Sequence, residues 1–190
     1  LPAGYTEVEY IQSIGGQYIN TGVNAQSGVS SEMTLEYTAL PTDLCMLGAR
    51  TLNDRIYLVH SYPMNRWCYG YGSYYSGTQT VLVEGVKYTV KSKLPIGSQD
   101  ILANSGASFG TVGTDTTEYN LGIPMYLFAM NNAGSMRSSS KAKLYECKIY
   151  LDDVLQRHYI PCIQDSNAEV GLYDLASNTF FGNDGTGVFT

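Results

Sequence analysis

Apolar and polar residues alternate with a period of two along several segments of this chain. That pattern restricts it to strands with one wet face. From Ser31 to Ala39, Met33, Leu35, Tyr37 and Ala39 alternate with Glu32, Thr34, Glu36 and Thr38. From Lys87 to Leu94, Tyr88, Val90 and Leu94 alternate with Lys87, Thr89, Lys91 and Lys93. Arg55–Ser61, Arg66–Tyr71, Met125–Asn131 and Lys141–Leu151 read the same way with more apolar content. Turn residues fill the gaps, at Gly15-Gly16, Asn20-Thr21-Gly22, Asn131 to Gly134, and Asp184-Gly185. No stretch of ten residues carries apolar side chains at i, i+3, i+4 and i+7. Short strands at this spacing predict an all-β chain, a sandwich or a barrel.

The chain has 190 residues, enough to bury a core without a metal or a disulfide framework. No internal repeat, charge run or low-complexity tract divides it, so residues 1–190 are expected to form a single domain. Gly97 to Thr117 is rich in Gly, Ser and Thr but carries Ile101, Leu102, Phe109 and Val112 at strand-like intervals, and it reads as a hairpin. Lys and Arg number 11 against 17 Asp and Glu, a net charge of −6. That balance argues against nucleic acid, because neutralising phosphates needs clustered cations. No apolar run approaches the roughly 18–20 residues that would span a bilayer, so no membrane insertion is expected. The first residue is Leu1 rather than Met, and the chain reads as a mature or excised segment. Tyr dominates the aromatics, 17 against 5 Phe and 1 Trp, which suits pleated sheets and recognition surfaces.

Cys45, Cys68, Cys147 and Cys162 form no CxxC or Cys/His cluster, so no structural zinc site is expected. Their density is too low for a disulfide scaffold, and they read as buried free thiols. One hairpin can be followed in detail, from Lys143 to Cys162 with Asp152-Asp153 near its middle. A two-residue loop there sets Cys147 opposite His158 and Tyr145 opposite Ile160, whereas a three-residue loop shifts the pairing by one. In the first register Cys147 and Cys162 stand too far apart for a disulfide.

The chain opens Leu1-Pro2-Ala3-Gly4-Tyr5-Thr6-Glu7-Val8-Glu9-Tyr10-Ile11-Gln12-Ser13, then Gly16-Gln17-Tyr18-Ile19-Asn20-Thr21-Gly22. Its far end carries Leu144 to Tyr150, Tyr159-Ile160-Pro161-Cys162, Gly171-Leu172-Tyr173-Asp174, and Phe180 to Gly187. Together these resemble concanavalin A-like lectin/glucanase (laminin-G-like) domains of gut-bacterial surface proteins and phage tail proteins. The resemblance covers both ends, and residues 40 to 120 follow it only by strand pattern. It implies an antiparallel two-sheet β-sandwich of jelly-roll type, binding on the concave sheet or at the loops of its rim. It also implies an extracellular, cell-surface or virion location. Fold alone does not fix function.

A glucanase of that superfamily shows a strand with alternating carboxylates, since retaining hydrolysis needs two carboxyl groups about 5–5.5 Å apart. No such strand is present, and Glu7-Val8-Glu9, Asp152-Asp153, Glu32 and Glu36 read as solvated or turn carboxylates. His60 ends a strand and His158 is set to face Cys147, a pairing that could join a nucleophile to its base. A packed thiol beside a hydrogen-bonded imidazole is the simpler reading. Many related sandwiches bind calcium at the loop rim, and the loops to compare are Asn53-Asp54, Asp165 to Asn167 and Asn183-Asp184. None carries the spaced carboxylates calcium prefers, so they read as Asx turns and no cofactor is expected.

The strongest local signal is Tyr57 to Tyr75, with six Tyr and Trp67 within 19 residues. Trp67, Tyr69 and Tyr71 would share one strand face, and Tyr71, Tyr74 and Tyr75 sit among Gly and Ser as if in a loop. Rings with polar tips stack on sugars or anchor interfaces, and also fill sandwich cores. The candidate ligand-binding residues are therefore Asn65, Arg66, Trp67, Tyr69, Tyr71, Tyr74 and Tyr75. The expectation is a non-enzymatic binding module for glycan or cell-surface polysaccharide. The alternative is a structural or protein-binding module, with a glycoside hydrolase the least supported.

Overall fold

The alternating segments become strands of two sheets, and no helix forms among the described residues. The structure, a computed structural model, describes residues 1–40, 43–61, 66–72, 74–94, 98–103, 108–109 and 117–190. At 66, 69, 74–80, 98–103 and 108–109 it describes the backbone alone. In chain order the strands are β1 (Tyr5–Glu7), β2 (Ile11–Ile14), β3 (Ile19–Gln26), β4 (Val29–Ala39), β5 (Leu44–Arg50) and β6 (Arg55–Ser61). Next come β7 (Arg66–Gly72), β8 (Tyr74–Val81), β9 (Lys87–Lys93), β10 (Ser98–Ala103), β11 (Ser108–Phe109) and β12 (Asn120–Leu127). The last six are β13 (Met130–Asn132), β14 (Ser135–Arg137), β15 (Lys141–Leu151), β16 (Val154–Gln164), β17 (Glu169–Asp174) and β18 (Thr179–Phe181).

The larger sheet runs β11-β10-β9-β4-β15-β16-β17-β18, with β1 on β16 and β2 on β15. The smaller runs β14-β13-β5-β6-β7-β8, with β12 joining β3 to β5. Every pairing is antiparallel except β13 on β5. Two such sheets stacked face to face make a β-sandwich, the fold class the alternation and the resemblance imply.

Period two does the packing. Along β4 every second residue from Val29 to Tyr37 is buried. Val29, Met33, Leu35 and Tyr37 meet Val90 and Tyr88 of β9 and Leu144, Cys147 and Ile149 of β15 in one apolar cluster. That cluster extends from Ile11 to Phe189, so both ends of the chain are stitched into the same core. Trp67 reaches across from the smaller sheet, its ring 5.8 Å from Tyr37 and 5.3 Å from Tyr88.

The expected Met125–Asn131 strand is split, because Phe128 takes a left-handed backbone (φ 64°) between β12 and β13. The β15–β16 hairpin has its two-residue loop at Asp152-Asp153, both at positive φ as a type I′ turn demands. Its register starts as expected, Leu151 opposite Val154 and Tyr150 opposite Leu155. A bulge then shifts it by one, so Cys147 faces Tyr159 and not His158. His158 instead bonds Glu146 at 2.7 Å, which removes the expected Cys147–His158 pair. Among the described residues no helix is long and apolar enough to cross a membrane.

A cavity on the outer face of the smaller sheet

β5 has no alternation to read, because both its faces are covered. Leu44, Met46, Leu47 and Ala49 belong to the core. Cys45 packs on the opposite side with Tyr57 and Met130, in a small apolar cluster apart from the core. On that outer face the ladder lines up two rows. Cys45, His60 and Cys68 are neighbours across β5, β6 and β7. Arg137, Met130, Gly48, Tyr57 and Gly70 are neighbours across β14, β13, β5, β6 and β7.

Two glycines make room for the Tyr57 ring between them. A Cβ on Gly48 would stand 3.0 Å from one edge of the ring, and a Cβ on Gly70 2.7 Å from the other. The Arg55 stem crosses the same glycine, 2.8 Å from where that Cβ would be. Tyr57 and His60 are three residues apart, so a regular strand would put them on opposite faces. The β6–β7 ladder shifts register between them, and the two rings stack with centroids 4.7 Å apart and planes 22° apart.

Asp43 enters from the residue before β5, its Oδ1 3.0 Å from His60 Nε2. The Ser138 hydroxyl donates to Asp43 Oδ2 at 2.7 Å. The other imidazole nitrogen, Nδ1, lies 3.0 Å from Cys68 Sγ. With Asp43 ionised, Nε2 carries the proton and Nδ1 accepts the Cys68 S–H. The hydrogen bond from His60 holds the Asp43 carboxyl below its ordinary range, and Ser138 and Arg137 act in the same direction. Burial pushes the Tyr57 hydroxyl up to about 12 and the Cys45 thiol well above its usual value.

Asp43, Arg50, Arg55, Tyr57, His60, Met130 and Arg137 line a cavity of about 420 Å³ on this face. That falls within the roughly 300–1,000 Å³ of small-ligand sites. The Asp43–His60–Cys68 chain has the order of an orienting acid, a base and a nucleophile. Cys68 is fully buried and does not line the cavity, so the sulfur is not presented to a ligand there.

Two of the candidates read from sequence lie elsewhere. Trp67 and Tyr71 are core residues, 0% and 1% exposed, and are corrected from the ligand set. Alternation puts both on the inner face of β7. The Tyr71 hydroxyl is also used, donating to the Thr117 carbonyl at 2.7 Å and sharing a hydrogen bond with Ser27. Its ring meets Tyr119 edge to face at 5.0 Å. Tyr71, Tyr74 and Tyr75 are on strands β7 and β8 and not in a loop. Arg66 and Tyr69 are on β7, and the side chains of Arg66, Tyr69, Tyr74 and Tyr75 lie outside the described residues, as does all of Asn65.

The sequence reading missed Asp43, Arg50, Arg55, Met130 and Arg137. One signal was available. Taking Arg55–Ser61 and Arg66–Tyr71 as a hairpin brings His60 to within one position of Cys68 across the ladder.

The calcium-type loops use their oxygens internally. Asn183 Oδ1 accepts from the Tyr18 and Gly185 amides, and Asp184 Oδ2 from the Asn20 amide. Asp165 Oδ1 accepts from Thr6, and Asn167 Oδ1 from the Glu169 amide. Among the described residues no group of three His, Cys, Asp or Glu side chains is arranged to hold a metal ion.

No protein-family model matches the chain, and no curated protein matches it.

Proposed function

We propose that this chain is a concanavalin A-like, non-enzymatic binding module that takes a glycan on the outer face of its smaller sheet, in an extracellular, cell-surface or virion setting. One observation carries the reading. The cavity on that face brings three guanidinium donors, the Tyr57 ring and the apolar Met130 together within a ligand-sized space. Sugars are bound by such mixtures of directed hydrogen bonds and apolar contact. The carboxylates named from the sequence lend hydrolysis no support. Glu7 and Glu9 are solvated, Glu32 is tied to Lys91 at 3.1 Å, and Glu36 to Lys143 at 3.0 Å.

The test is a glycan array probed with the wild-type chain and with Arg137→Gln. Binding to a defined set of glycans, lost in the variant, is the expected result. Silence across a broad panel overturns it in favour of a structural or protein-binding module. Release of reducing sugar from β-glucans or galactans overturns the non-enzymatic reading.

A further inference from the structure

We infer that the ligand carries an anionic group, a carboxylate or a sulfate, held by Arg50, Arg55 and Arg137. The inference deepens the glycan reading and rests on it for the sugar, but the anion site has its own evidence.

The first observation is where the positive charge is left unpaired. The chain is acidic overall, and its other cations are mostly matched. Lys87 pairs with Glu9, Lys91 with Glu32, Lys93 with Asp153, Lys143 with Glu36, Lys148 with Glu146 and Arg157 with Asp174. Among the described residues Arg50, Arg55 and Arg137 form no ion pair, yet all three line one cavity. Asp43 is the carboxylate beside them, and its two oxygens are occupied by His60 and Ser138.

The second observation is a direct conflict in the ladder. Arg50 and Arg55 are opposite partners across β5 and β6. Like charges so placed repel, unless an anion sits between them. The third is an unsatisfied donor. Arg55 Nε is buried and has no hydrogen-bond partner among the described residues, and its stem is packed across Gly70. That packing holds the side chain in place where it lines the cavity. Guanidinium groups suit both carboxylate and sulfate, which accept two parallel hydrogen bonds from one fork.

Titration calorimetry with four probes decides the matter: an oligogalacturonate, a κ-carrageenan oligosaccharide, a neutral galacto-oligosaccharide and sodium sulfate. The expected result is binding of a charged oligosaccharide at least about tenfold tighter than the neutral one, weakening as salt is raised. The oligogalacturonate and carrageenan arms separate carboxylate from sulfate. The exposed Arg137→Gln should weaken it about tenfold with an unchanged melting temperature, and Arg55→Gln should weaken it about as much. Sulfate binding lost in Arg137→Gln, with no oligosaccharide bound, upholds the anion site and removes the glycan reading. Equal affinity for neutral and charged sugars, or full affinity in both variants, overturns the anion site and leaves the glycan reading standing.

Discussion

His60 holds Cys68 through one ring nitrogen and Asp43 through the other, each at 3.0 Å, so the imidazole bridges a thiol and a carboxylate across the smaller sheet. The other three cysteines have no such neighbour in the described hydrogen bonds. All four are free and buried. Burial raises the Cys45 and Cys147 thiols far above their ordinary value and Cys162 to about 11. An aromatic disulfide reagent at pH 8 should therefore leave Cys45, Cys147 and Cys162 untouched in the folded chain and label all four cysteines in guanidinium. Any slow labelling of the folded protein should fall on Cys68 and slow further in His60→Gln. Rapid native labelling of Cys147 or Cys162 would contradict the packing described.

Gly70 is the position where the fold and the cavity meet. Gly70→Ala drives a methyl group into the Tyr57 ring and the Arg55 stem. Overpacking of this kind costs about 1–3 kcal/mol. The expected outcome is a lower melting temperature together with weaker ligand binding. A variant as stable as wild type, with affinity intact, would show that the ring and the stem can move aside freely.

Three carboxylates carry acid sensitivity. Lys143 lowers the Glu36 carboxyl, Lys148 that of Glu146, and His60 that of Asp43. A carboxyl whose folded pKa lies below its unfolded value stabilises fully above the unfolded value, near 4.5 for Glu and 3.8 for Asp. That stabilisation fades as pH falls through the folded value. Glu36→Gln should therefore melt lower than wild type at neutral pH, and the gap should close only as the pH falls below about 4.5. Melting curves across that range provide the check, and a gap independent of pH would refute the assignment.

Trp67 is the single tryptophan and is fully buried between the sheets. Its emission should resist acrylamide quenching until the chain unfolds. Its indole N–H has no hydrogen-bond partner among the described residues, so Trp67→Phe removes volume without breaking a described bond. Trp67→Ala should cost about 3–5 kcal/mol, and Trp67→Phe clearly less. Ready quenching in the folded state would return the ring to the surface.

Period two made the sandwich legible wherever one strand face is wet. β4, β9 and β15 follow the alternating segments closely. It failed at β5, where Cys45 and Gly48 are covered by Tyr57 and Met130 on the side away from the core. A strand buried on both faces has no alternation. It failed again at Tyr57 and His60, which share a face only through a register shift. The arginines are harder still. Arg50 and Arg55 lie on a tight hairpin, but Arg137 joins them because β13 runs parallel to β5, a pairing between segments some eighty residues apart that local pattern does not encode. Aromatic density drew attention to Trp67 and Tyr71, because core and recognition surfaces use the same residue types.

Six of the seven cavity residues stand on strands, with Asp43 one residue before β5. Folding has therefore already fixed their backbones. A ligand arriving here does not have to order a loop, so little of its interaction energy is lost to conformational entropy. The free and occupied forms should accordingly superpose closely. Selectivity would follow from how well the ligand's charges match a rigid template, and not from any rearrangement of the protein around it.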